Sequence, residues 1–196
     1  HVVTDADADA ELGEAGEGEL RGEPFGEQRR RNRDAEHRSG VRAGEPTVVL
    51  RALSLIAGNN EGEEFLLVVG GEHARGILDG APVLYWPELW GTRALLYVWN
   101  DSAVIAVTAA LHNQAWRVRE MAARVAAARG LDVAPILVGM LGDETPRVRA
   151  AAARALGALG TAETVDDIRP LLKDPEIDVR RGAQQGIDAI RSRFPG

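Results

Sequence analysis

The chain has 196 residues, 45% of them apolar and 27% charged, with no cysteine and a formal charge of −7. That length and apolar fraction suit one domain with a real core, and the lack of cysteine excludes disulfides, thiolate metal sites and a cysteine nucleophile. The acidity is local. Residues 1–20 carry Asp5, Asp7, Asp9, Glu11, Glu14, Glu17 and Glu19 and no base, which leaves 23 of the 30 acids against all 23 bases in the remainder. Lys173 is the only lysine, a bias toward arginine that reads as GC-rich codon usage.

Within the first ten residues Asp and Ala alternate from Asp5 to Ala10, unlike the basic start and apolar stretch of a secretory signal. The longest wholly apolar runs, such as Phe65–Val69, Ala94–Trp99 and Val133–Val138, fall far short of a membrane span. The expectation is a soluble, cytoplasmic chain; a start at His1 in place of Met reads as a fragment or a processed product. Residues 1–45 contain little that is large and apolar and are expected to stay disordered, an acidic, arginine-rich tail. The cluster Arg29, Arg30, Arg31 and Arg33 within it reads as a nucleic-acid patch or as a solvated stretch answering the acidic run.

From Pro46 the texture changes to a helical domain, 46–196. Thr47–Ala57 (TVVLRALSLIA) predicts a short helix stopped by Gly58-Asn59-Asn60. Glu63–Val69 is apolar but ambiguous in type, Glu72–Leu78 reads as one or two helical turns, and Asp79-Gly80-Ala81-Pro82 is a break. After Pro87 everything reads helical. No alternating run argues for a sheet.

A repeat then emerges. LHNQAWRVREMAARVAAARG from Leu111, LGDETPRVRAAAARALGALG from Leu141 and LKDPEIDVRRGAQQGIDAIR from Leu172 share a Val-Arg pair at Val118-Arg119, Val148-Arg149 and Val179-Arg180. Five residues before each Val stands Asn113, Asp143 or Asp174, where a side-chain acceptor suits the cap of the following helix. An apolar helix precedes each segment, at Ser102–Leu111, Val133–Leu141 and Thr164–Leu172. The Val faces a core, and small residues such as Ala122, Ala126, Ala151, Ala152, Gly182 and Ala183 let neighbouring helices approach closely. One such hairpin cannot cover its own apolar face, so the units must stack.

The pattern of Asp143–Gly160 resembles a HEAT repeat, in the short form of the phycobilin-lyase-type HEAT proteins, and the tryptophan-rich stretch before it is similar to that of small bacterial HEAT-repeat proteins. Departures are Trp116 for the usual Pro, Asn113 for Asp, and Gly182 and Gly186 inside a helix. The resemblance implies an all-α superhelical solenoid of about three to five hairpins, with three clear repeats in 101–196. Degenerate units and a Trp-rich cap would fill 46–100, with Trp90–Trp99 as a second helix. It also implies that Arg119, Arg149 and Arg180, with Asn113, Asp143 and Asp174, form a structural polar ladder between repeats.

Candidate contact residues come from two places. Arg117 and Arg124 lie seven residues apart on one helix flank, and Arg147 and Arg154 repeat the spacing, so the four make a two-by-two patch suited to an anion such as a phosphate backbone or an acidic peptide. The alternative is ordinary solubility, since Asp178 and Gln185 break the series in the third repeat. Six of nine aromatics fall between Tyr85 and Trp116; Trp90, Tyr97 and Trp99 suit a sealing core, whereas Tyr85 and Trp86, in a loop flanked by Pro82 and Pro87, suit contact with a partner.

His1, His37, His73 and His112 show no metal-ligand spacing, and no glycine-rich phosphate loop or nucleophile motif occurs, so no cofactor, metal or catalytic residue is expected. The leading expectation is a non-enzymatic scaffold gripping a protein or peptide on a concave face of second helices. The alternatives by resemblance are a nucleic-acid binder like the HEAT-fold alkylpurine DNA glycosylases and a phycobilin lyase. Residues 101–196 hold 13 bases and 12 acids, which argues against the nucleic-acid reading.

Overall fold

The structure, a computed structural model, describes residues 45–195. The acidic run of residues 1–20 and the arginine cluster near Arg31 lie outside the described residues. Those described form ten α-helices and two short 3-10 helices, with no strand among them. In chain order the helices are α1 (Glu45–Ile56), α2 (Glu63–Gly70), α3 (Glu72–Leu78), α4 (Trp86–Ala94), α5 (Val104–Ala110), α6 (Trp116–Arg129), α7 (Ala134–Met140), α8 (Pro146–Leu159), α9 (Thr164–Ile168) and α10 (Ile177–Arg193). The ambiguous stretch from Glu63 is thus helical. Proline stands in the first turn of α4, α7 and α8, where its missing N–H has no intrahelical partner to lose.

The helices pair as hairpins in two layers. Short α5, α7 and α9 pack on α6, α8 and α10 respectively, while the second helices stack directly on one another in the order α4, α6, α8, α10. They run parallel, because arginines near the ends of α6 and α10 reach the ends of the helices before them. Arg129 donates to the Leu95 carbonyl at 2.9 Å, and Arg193 donates to the Gly157 and Gly160 carbonyls at 2.8 Å. Both place positive charge on the negative end of a helix. Val118, Val148 and Val179 are wholly buried, within one continuous core running from Val49 to Ile190.

A fourth hairpin precedes these. Helix α1 packs on α4 and touches α5, and between α1 and α4 the chain inserts α2 and α3, of which α2 lies on α4. The insertion is tied to both flanking helices. Arg51 of α1 donates from Nε to Glu61 at 3.0 Å, Arg93 donates to the Val69 carbonyl, and the His73 ring lies 4.4 Å from that of Trp86. Two expectations change here. The second helix of this unit is Trp86–Ala94 and not Trp90–Trp99, since Pro87 fits its first turn and the chain turns after Leu95, whose carbonyl Arg129 takes. Trp86 is therefore helical, not in a loop. Trp90 is buried, whereas Tyr97 and Trp99 are half-buried at the edge of the core.

The glycines inside α10 have a steric reason. A Cβ on Gly182 would stand 2.8 Å from the Ala150 carbonyl oxygen of α8, and one on Gly186 would collide with the Ala153 carbonyl. The two backbones approach so closely that even alanine does not fit. Gly76 of α3, by contrast, faces open space. Gly182→Ala should cost about 1–3 kcal/mol of stability, and Gly76→Ala should add roughly 0.5–1 kcal/mol; urea denaturation midpoints of the two variants check both signs.

Candidate functional site

Two constellations occupy the second helices, on opposite flanks. The first lies along the turns. The Asp143 carboxylate accepts from Arg119 Nε at 2.8 Å and Nη2 at 3.0 Å, a bidentate pair with both side chains nearly buried. Asp174 accepts from Arg149 at the same two distances. Each arginine also holds its own turn: Nη1 of Arg119 donates to the Asn113 and Gln114 carbonyls, that of Arg149 to Asp143 and Glu144, and that of Arg180 to Asp174 and Pro175. The rung therefore bonds within one hairpin and across to the next.

The acids work differently from the cap expected of them. Asn113, Asp143 and Asp174 accept from the backbone N–H two residues on, at Ala115, Thr145 and Glu176, the residues that themselves occupy the cap position. Each closes an Asx turn just ahead of the helix. The asparagine now has a reason. That turn needs only a carbonyl oxygen, which an amide supplies; a carboxylate is used where an arginine of the preceding hairpin also donates, at Asp143 and Asp174.

The second constellation is the predicted arginine patch. Arg124, Arg147 and Arg154 are exposed and Arg117 half-exposed, and the fields of all four act on one residue that spacing alone did not single out, Glu120. Burial pushes the Glu120 carboxyl above the usual carboxylate range, and the fields of Arg147, Arg124, Arg117 and Arg154 only partly offset this. The signal was present in the sequence, since Glu120 stands three residues after Arg117 and four before Arg124. Arg154 reaches onward, donating from Nε to Gln185 Oε1 at 2.8 Å.

Aromatic side chains join this patch. Arg117 donates from Nη1 to the Tyr85 hydroxyl at 2.9 Å, and its guanidinium lies 4.4 Å from the centre of the Trp116 ring, 5.9 Å from Trp86 and 6.0 Å from Tyr85. Arg147, from the next helix, lies 5.8 Å from the same Trp116 ring. The two candidate regions, which the sequence offers separately, are one surface. Trp116, the departure from proline at the start of α6, is its shared platform. Val83 and Leu84 stand exposed beside Tyr85, with Leu84 in the left-handed backbone region at φ 44°. In α4, Glu88 Oε2 is buried without a hydrogen-bond partner, and burial raises that carboxyl also.

Among the described residues no group of three His, Asp or Glu side chains is placed to hold a metal, and no helix is long and apolar enough to cross a membrane. Stacked helical hairpins tied by a repeated arginine–aspartate rung define an α-solenoid. Residues 93–188 match the family model of HEAT repeats, and the chain is a HEAT-repeat protein. No curated protein matches the chain in sequence.

Two measurements test the electrostatics. Arg149 holds the Asp174 carboxyl below its ordinary value, so this pair stabilises the fold above the ordinary carboxylate pKa, roughly 3.9, and the gain is lost as pH falls through the lowered value. Asp174→Ala should cost about 2–4 kcal/mol at neutral pH, with Asp174→Asn losing less because the Asx turn survives; urea denaturation at neutral and acid pH reads both. Glu120 has the opposite sign. Its raised pKa makes the folded chain hold the proton more tightly, so its contribution declines as pH climbs through the carboxylate range. Glu120→Gln should remove that slope and be at least as stable as the parent at neutral pH.

Proposed function

We propose that the protein is a non-catalytic scaffold that holds a protein or peptide partner on the exposed face of its second helices. HEAT repeats are commonly protein-interaction scaffolds, and the family is generally non-enzymatic. The observation that carries the reading is the convergence on one surface of Tyr85, Trp86, Trp116, Arg117 and Arg147, drawn from three successive second helices. Tyrosine, tryptophan and arginine are the side chains that most often anchor interfaces: the two aromatics combine a large apolar area with a polar tip at small conformational cost, and arginine adds a planar fork of donors. Arg124 and Arg154 extend the surface along α6 and α8.

The glycosylase-like reading needs a broadly basic face, and the near balance of 13 bases and 12 acids over residues 101–196 does not favour it. No observation favours a phycobilin-lyase activity. Affinity capture with the full chain should return a partner that is lost from an Arg124→Glu, Arg154→Glu variant and retained by an Ile105→Glu variant, whose substitution lies on an exposed residue of first-helix α5. Equal recovery with all three would overturn the assignment to this face.

A further inference from the structure

The arginine ladder has one rung that is only half made. Arg119 and Arg149 each clamp two carbonyls of their own turn through Nη1 and offer Nε and Nη2 to a carboxylate of the next hairpin. Arg180 repeats the first part of this. Its Nη1 donates to the Asp174 and Pro175 carbonyls at 2.7 and 2.8 Å. Among the described residues no hydrogen bond or ion pair engages its Nε or Nη2. The shared clamp turns that edge as Arg119 and Arg149 turn theirs, toward the side of α10 that no later described helix covers.

A guanidinium held in this way is a preformed half-site. Two carbonyl bonds fix its plane, so little side-chain freedom remains to be lost on pairing. The open edge matches the two oxygens of one carboxylate. The filled rungs show the fit, 2.8 Å to Nε and 3.0 Å to Nη2, with each aspartate held in an Asx turn just ahead of a helix. Arg180 shares its turn and first helical turn with Asp174, Glu176 and Asp178, which disfavours a polyanion such as nucleic acid. The surrounding face sets the style of contact. Helix α10 packs against Ala150, Ala153 and Gly157 of α8. One repeat on, their counterparts are Arg181, Gln184 and Asp188, all exposed, with Gln184 donating to Asp188 at 2.9 Å. Side chains of that size keep a neighbour from coming as close as α10 comes to α8. The face suits a polar, reversible contact, with half-exposed Ile177 as its apolar point.

The geometry points to a second interaction site at this end of the array, separate from the aromatic and arginine surface of the second helices. Its occupant is a segment of a partner protein that presents one aspartate in a turn just ahead of a helix, with polar side chains facing α10. That aspartate completes the rung on Nε and Nη2 of Arg180. A second copy of this chain does not supply it from the described residues. The Asx turns there that carry a carboxylate, at Asp143 and Asp174, are both spent on arginines of their own chain. Those at Asn60, Asn100 and Asn113 carry amides.

The test follows the arginine Nε–H signals of the isotope-labelled full chain by nuclear magnetic resonance. The probe is an unlabelled peptide of residues 141–150, LGDETPRVRA, the turn and helix start that Arg119 itself grips. The Arg180 signal should shift on titration, while those of Arg119 and Arg149 stay in place because their edges are occupied. The same peptide with Asp143→Asn should bind about tenfold more weakly, the size of one charge-assisted pair. The chain is unaltered in that comparison, so a folding defect cannot produce the loss. Arg180→Lys in the chain keeps the charge without the fork and should weaken the parent peptide to a similar degree, read from the backbone amides at the start of α10. An Arg180 signal unmoved at millimolar peptide, equal shifts at all three arginines, equal affinity for the two peptides, or unchanged affinity in Arg180→Lys would overturn the inference. The scaffold reading of the second-helix face stands or falls separately, on the capture experiment.

Discussion

The last three hairpins of the array are registered by arginines that bond in two directions. Arg119 and Arg149 each clamp the carbonyls of their own turn and, with the other edge of the guanidinium, a carboxylate of the next hairpin. Burial of the apolar faces supplies most of the stabilisation, but apolar contact is non-directional and tolerates sliding. A bidentate guanidinium–carboxylate pair does not. The rung thus fixes how far and at what rotation one hairpin follows another. A planar fork is needed for this, so lysine would serve poorly.

The same constraint positions the candidate contact surface. Arg117 and Arg147 stand two residues before Arg119 and Arg149, and two helical steps turn a side chain through about 200°. A rotation that aims one arginine of each pair at the turns therefore aims the other away from them. Close packing adds precision. Gly182 and Gly186 bring α10 against the α8 backbone, and at that separation Arg154 can reach Gln185. The ladder and the patch are two outcomes of one helix orientation.

The N-terminal hairpin departs most from the repeat and contributes Tyr85 and Trp86 to the surface. Its first and second helices are separated by α2 and α3, and the insertion supports Trp86 through His73. Trp86 and Tyr85 then meet Arg117 of the following unit. A degenerate unit is free of the ladder's residue requirements, and aromatic side chains stand where a regular repeat would place others.

Much of this was legible in the residues alone. The 30-residue recurrence of Val-Arg, the small residues after it and the polar turn before it determine stacked helical hairpins, because one hairpin cannot bury its own apolar stripe. Local spacing likewise placed Arg117 with Arg124 and Arg147 with Arg154. Other features depended on contacts between residues far apart in the chain. The partnership of Arg117 with Tyr85, the pairing of Arg119 with Asp143 and the meeting of Arg117 and Arg147 at Trp116 all belong to that class. The physical reason is one of range. Periodicity and turn chemistry act over a few residues and decide which segments become helices, whereas which flank of a helix meets a neighbour is decided only when the second helices stack.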